Sequence, residues 1–263
     1  MDCFYTKEPV ARLCLARLRQ TVDVSDHGLW VEPSAGAGAF FRNFPRPRLG
    51  IDILPSDDSE IIQSDFLFWR PDRRYDNIIV AGNPPFGKNA SMAVRFFNHA
   101  ASFAGRIAMI LPRTFRKDSV VNRLNRKFHL DREWILPENS FEFNAHPYSV
   151  PTVFQVWTFS DKLREIRNPP KSHGHFSFVK QREQADFAVQ RVGVAAGAVK
   201  TNMLKISPNS HYFLKAEADA SRVLDAFREI NWSSVKYDTA GNPSLSKSDV
   251  VGLYTEQVNG RDV

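Results

Sequence analysis

The chain has 263 residues, 43% of them hydrophobic, and its 35 basic against 29 acidic side chains leave a formal net charge of +6. That supplies one substantial core with room for a smaller appendage, and a positive balance that suits a polyanionic partner. Two cysteines, Cys3 and Cys14, both near the N-terminus, argue against a disulfide framework or a cysteine-based zinc site. No signal-peptide core and no run near the roughly 20 apolar residues of a membrane span occur, so the expectation is a cytoplasmic protein without membrane contact.

In chain order, Pro9 to Gln20 places Val10, Leu13, Cys14 and Leu18 at helical spacing, with Pro9 at a first-turn position. Gly28 to Glu32 reads as a strand feeding the glycine-rich turn Pro33-Ser34-Ala35-Gly36-Ala37-Gly38. Short apolar runs follow at Leu49 to Ile53, Asn77 to Ala81 and Arg106 to Leu111, with helices expected over Ala90 to Phe103 and Ser119 to Lys127. Trp134 to Leu136 and Thr152 to Phe159 are too closely linked for a helical crossover and read as an antiparallel pair at the sheet edge. The texture changes from Ser160, at the charged and proline-containing stretch Asp161 to Pro170, so a boundary is placed there. Beyond it come the alternating Phe176 to Val179, one helix over Ala216 to Ile230 and a polar loop from Thr239 to Asp249. The expected architecture is α/β: a Rossmann-like, mainly parallel sheet with an antiparallel edge hairpin over residues 1–160, and a smaller α+β region over 161–263.

Chemistry-bearing residues recur at the ends of successive strands, where open sheets of this kind bind ligands. Glu32-Pro33 leads into glycines that let the backbone turn tightly under a ligand. Asp52 ends the next strand, placed to accept hydrogen bonds from ribose hydroxyls. Asp65 could take an adenine amino proton and Phe66 could cover the base. Asn83-Pro84-Pro85-Phe86 directly follows an apolar strand. Two prolines stiffen that turn, the Asn83 and Pro84 carbonyls can accept both protons of one amino group, and Phe86 can stack on an extruded base.

Taken together, these motifs resemble the class I S-adenosylmethionine-dependent methyltransferases, in particular the N6-adenine branch of the DNA adenine methyltransferase kind, over about Phe4 to Phe159. The resemblance implies S-adenosylmethionine as cofactor, with S-adenosylhomocysteine as product. It implies that Phe4, Tyr5 and Thr6 close over the cofactor's methionine end, and that Glu32, Pro33, Gly36 and Gly38 form its loop. Asp52 would bind the ribose, Asp65 and Phe66 the adenine, and Asn83 to Phe86 would be the catalytic motif, with Asn83 also at the cofactor. It further implies a second aromatic for the target base, for which Phe141 and Phe143 are candidates, with Tyr148 behind them.

Lys88 and Asn89 adjoin the catalytic turn, and Arg113, Arg116 and Lys117 follow a strand on the ligand side, so these are the candidate phosphate contacts. The C-terminal region stands where related DNA enzymes carry target recognition, and it is short for that task, so a homodimer or a partner subunit would complete it. DNA is the expected partner, in a setting such as restriction-modification. RNA adenine, a protein glutamine amide and a non-catalytic nucleic-acid-binding subunit are the alternatives. No metal is required, and His146, His173 and His175 read as polar loop residues.

Overall fold

A computed structural model describes residues 4–21, 28–143, 146–204, 206–239 and 241–260. Cys3 lies outside the described residues. The chain forms two compact units, Met1–Ile166 and Arg167–Val263. The division falls after Ile166 because the residues following the last strand of the first unit are tied back to it. Arg164 donates to the carbonyls of Val121 (2.8 Å) and Leu124 (3.3 Å), and its own carbonyl accepts from Arg126 Nε at 2.8 Å.

The first unit runs β1 (Tyr5–Thr6), α1 (Glu8–Arg19), β2 (Leu29–Glu32), β3 (Arg48–Asp52), β4 (Ile61–Gln63), β5 (Ile78–Gly82), α2 (Ser91–Ala100), β6 (Arg106–Pro112), α3 (Asp118–Val121), β7 (Phe128–Ile135), β8 (Phe141–Phe143), β9 (His146–Tyr148) and β10 (Thr152–Phe159). Seven of these strands form one sheet in the order β4-β3-β2-β5-β6-β10-β7. The pairs β2–β3, β3–β4, β2–β5 and β5–β6 are parallel, while β10 runs antiparallel to both β6 and β7. This is the α/β architecture that the sequence leads one to expect, a mainly parallel sheet with an antiparallel edge.

Continuous burial along β2, β5 and β6 follows from cover on both faces. One core packs Ala93, Val94, Phe96 and Phe97 of α2 on Leu29, Val31, Val80 and Ile107. The other packs Val10, Cys14, Leu15 and Leu18 of α1 on Trp30, Ile79, Ala108 and Ile110. β1, β8 and β9 form a separate small sheet, in which Tyr5 faces Glu142 and Thr6 faces Phe141.

Two expectations in this unit need correction. The helix expected to Lys127 is only one turn, because Asn98 takes over the backbone that would continue it. Its Nδ2 donates to Arg123 O at 2.9 Å and its Oδ1 accepts from Asn125 N at 2.7 Å. The strand expected at Trp134 begins at Phe128. Its charged run Asp131-Arg132-Glu133 does not look strand-like, but it suits an edge strand with one side open to solvent.

The second unit has β11 (Phe176–Val179), β12 (Phe187–Gln190), β13 (Val199–Lys200), β14 (His211–Ala216), α4 (Ala220–Glu229) and α5 (Lys247–Asn259), with its sheet in the order β11-β14-β12-β13. Its own core joins Phe176, Phe187 and Leu214 to Phe227 and Tyr254 of the helices. The expected polar loop to Asp249 ends early, since Ser246 and Asp249 form a capping box that opens α5. His173 and His175 lie in the loop that leads into β11, as expected, and both rings meet Tyr254 there. Among the described residues no helix is long and apolar enough to cross a membrane.

Candidate active site

Parallel pairing brings the carboxyl ends of β2, β3 and β5 to one edge of the sheet, and the motifs that follow them meet there. At the end of β2 the chain turns through Gly36 (φ 48°) and Gly38 (φ 78°), both in the left-handed region. A Cβ at Gly36 would lie 3.0 Å from Tyr5 Cε1, so the Tyr5 ring covers the bare backbone of this loop.

Asp52, at the end of β3, pins the loop: its Oδ2 accepts from Gly36 N at 2.7 Å and its Oδ1 from Leu54 N at 2.9 Å. A carboxylate oxygen has capacity for more than one donor, so both retain room for a hydroxyl. Glu32 faces the other way. Only 2% exposed, its carboxyl accepts from Phe41 N at 2.6 Å, and burial pushes it well above the usual carboxylate range. The residue thus shapes the loop from beneath, with Pro33 buried beside it.

Asn83 follows β5 with its groups divided among three tasks. Its carbonyl accepts from Ser34 Oγ at 2.8 Å, tying the two turns together. Its Nδ2 donates to Phe4 O at 3.2 Å, tying in the N-terminal segment. Its Oδ1 is buried and has no hydrogen-bond partner among the described residues. Pro84 is buried and Pro85 half-buried. Phe86 packs against both cores of the unit, and its carbonyl accepts from Met92 N at 3.1 Å and Ala93 N at 3.3 Å. Lys88 and Asn89 are exposed just beyond, where Asn89 (φ 52°) and Ala90 (φ 59°) both adopt left-handed backbone.

Above the loops lies an aromatic group. The Phe4 ring stacks on Tyr148 at 4.8 Å and 5°, and meets Phe143 at 5.5 Å. Thr6 Oγ1, two residues on, is buried without a partner.

Three expectations are corrected here. The Phe66 ring is 2% exposed and set among Trp69, Phe96, His99 and Phe103, so it is core and does not cover a base; Asp65 beside it is half-buried, accepting from Leu67 N at 2.9 Å. Phe141 is fully buried against the α1 face, which leaves Phe143 and Tyr148 as the aromatics near the site. Arg116 is no phosphate clamp: it is ion-paired with Glu133 at 2.6 Å, and Gln155 Nε2 joins the same carboxylate at 2.7 Å.

Arg113 and Thr114 follow β6, adjacent to β5, and each has a buried unpartnered atom, Nε and Oγ1 respectively. Lys117 precedes α3 as its N-cap. Sequence reasoning missed Ser34 and Thr114. Their signal was position alone, a hydroxyl directly after a strand end on the ligand side.

No protein-family model and no curated protein matches the chain. Among solved structures, it is similar to a protein described as a class I S-adenosylmethionine-dependent methyltransferase from Listeria monocytogenes, with 12% identity, a TM-score of 0.46, and 64% of each chain covered. The N-methyltransferase NodS from Bradyrhizobium japonicum, in complex with S-adenosyl-L-homocysteine, matches at 12% identity and a TM-score of 0.42, covering 59% of this chain and 89% of that one. A modification subunit assigned to a type I restriction enzyme from Vibrio vulnificus matches at 15% identity and a TM-score of 0.43. There 94% of this chain is covered, and the chain spans 59% of the subunit's length.

Proposed function

We propose that this protein transfers a methyl group from S-adenosylmethionine to the exocyclic N6 amine of adenine in DNA, with the target base extruded from its helix. The observation that carries this reading is Asn83. Because its Nδ2 donates to Phe4 O, the amide is held in one orientation, and the atom left over is a buried acceptor with nothing to accept. A primary amine on a flat base supplies what that atom lacks. Such an amine is a poor nucleophile, its lone pair being delocalised into the ring. Taking its protons at Asn83 Oδ1 and the Pro84 carbonyl favours a pyramidal nitrogen with the lone pair exposed.

The residues present fit the cofactor. The bare backbone at Gly36 offers close approach, Asp52 offers two oxygens for ribose hydroxyls, and Thr6 Oγ1 is a buried hydroxyl awaiting a partner. Bound there, S-adenosylmethionine supplies an already activated methyl group, so the protein's share of the work is positioning and electrostatics. Tyr5 and the Phe4 group exclude water from above, and Phe86, Phe143 and Tyr148 are the aromatics within reach of a flat base.

The test is transfer of labelled methyl to double-stranded DNA, single-stranded DNA and RNA in parallel, followed by nucleoside mass spectrometry. The expected product is N6-methyladenine in DNA. Asn83→Ala should lower turnover by about 100-fold or more, with cofactor affinity measured by calorimetry largely retained. Near-normal turnover in that variant would remove Asn83 from the chemistry. Label in RNA alone would move the acceptor to RNA.

A further inference from the structure

The second unit carries a pocket of its own. Residues of β11, β12's exit, β14 and the start of α5 surround a recess of about 240 Å3. Lys180, Arg191, His211 and Lys247 line it together with Phe178 and Tyr212, and its lining includes no acidic residue. The Asp249 carboxylate, which acts on Tyr212, accepts from Ser246 N at 2.7 Å in the capping box of α5.

Two buried nitrogens here, Arg191 Nε and His211 Nε2, have no hydrogen-bond partner. Buried polar atoms are nearly always paired, so two orphans on residues that line one recess mark a place where something else supplies the acceptor. The rings fix the cations in position. Arg191 lies 5.2 Å from the Tyr212 centroid and Lys247 lies 4.6 Å from that of Phe178. Phe178 and Tyr212 meet edge to face at 5.4 Å. Ring faces occupied by cations favour an anion over a stacked base, and the scale of the recess suits a phosphate group with its flanking sugars.

We propose that this pocket grips a backbone phosphate of a polynucleotide, with Arg191 and His211 donating to the phosphate oxygens and Lys180 and Lys247 supplying charge. The choice of a polynucleotide over a small oxyanion rests on the function proposed above. Phosphate contacts of this kind set position and register, and carry no sequence preference of their own.

The test uses the full chain and a fluorescein-labelled 20-mer, as duplex and as single strand, titrated by anisotropy between 50 and 200 mM salt. Arg191→Gln should weaken binding about tenfold and lower the slope of log affinity against log salt by about one. Arg191→Lys should keep the slope, because it keeps the charge, and His211→Asn should weaken binding several-fold. Cofactor affinity should be unchanged in all three.

Wild-type affinity and slope in Arg191→Gln would overturn the proposal, as would equal losses in the lysine and glutamine variants, which would mark a packing role. Absence of any polynucleotide binding by the wild-type chain would overturn it too. Binding that follows this pattern without methyl transfer would sink the proposed activity and leave the pocket standing. Methyl transfer with Arg191→Gln binding normally would do the reverse.

Discussion

At the scale of single residues, the site depends on backbone that favours glycine and on acceptors left open. Gly36 shows the first. Its φ of 48° is unfavourable for a side chain, and a Cβ would press on the Tyr5 ring at 3.0 Å. Gly36→Ala should therefore weaken cofactor binding at least tenfold and cost about 1–3 kcal/mol of stability, read by calorimetry and by chemical denaturation. A variant with normal cofactor affinity would show that the loop approaches no ligand at this point. Asn83 shows the second, since two of its groups are engaged and a third is held ready. The sequence made both positions visible because glycine and asparagine at strand ends have few other uses. It misjudged Phe66 and Phe141, whose residue type suits a ligand site and a core equally well. Only the direction of each side chain decides between the two, and that direction is set by packing partners remote in sequence: Phe96 and Phe103 for Phe66, and the α1 face for Phe141.

At the scale of elements, the small sheet of β1, β8 and β9 serves as the cover of the site. Two residues of β1 could not persist alone as a strand; they are held by pairing with β8, by Lys7 N donating to Ser140 O at 3.1 Å, and by the stacking of Phe4 on Tyr148. Phe4→Ala should raise the cofactor dissociation constant about 2- to 10-fold, the range expected for losing an aromatic pair, while the melting temperature stays near that of the parent chain. A large drop in melting temperature would make Phe4 part of the core instead. The buried parallel strands were legible because both-face burial writes an uninterrupted apolar run. β7 and α3 were misread for opposite reasons. β7 is an edge strand whose exposed charges hide it, and α3 is cut short by Asn98 from another helix, a contact that no local pattern announces. The start of α5 was legible in Ser246 and Asp249 at capping-box spacing, and was overlooked because its polar residues resemble a loop.

At the scale of the whole molecule, each compact unit has a hydrophobic core built from its own residues. A fragment ending at Ile166 should therefore fold alone, unfold in one cooperative transition and bind S-adenosylmethionine like the full chain, while its polynucleotide affinity falls at least tenfold. Scanning calorimetry and anisotropy check the two halves of that expectation, and a fragment that fails to fold would show that the first core borrows from the second unit. The division into two units was partly legible in the change of texture after Ser160. The pocket around Arg191 and His211 was not, since its lining comes from segments that only the antiparallel pairing of β14 with β11 and β12 brings together.

One contact of the turn from Asn83 to Phe86 reaches beyond the chemistry proposed for it. α2 begins without a side-chain cap, and the first amides of its opening turn, those of Met92 and Ala93, are taken by the carbonyl of Phe86. The motif that would receive the base is thus also the stopper of a ten-residue helix whose inner face lies in the main core. Swinging the Phe86 carbonyl away would uncork that helix, so the backbone of the turn is a fixed anvil rather than a hinge. In the proposed reaction, adjustment to an incoming base would then fall to the substrate and to the thin N-terminal cover.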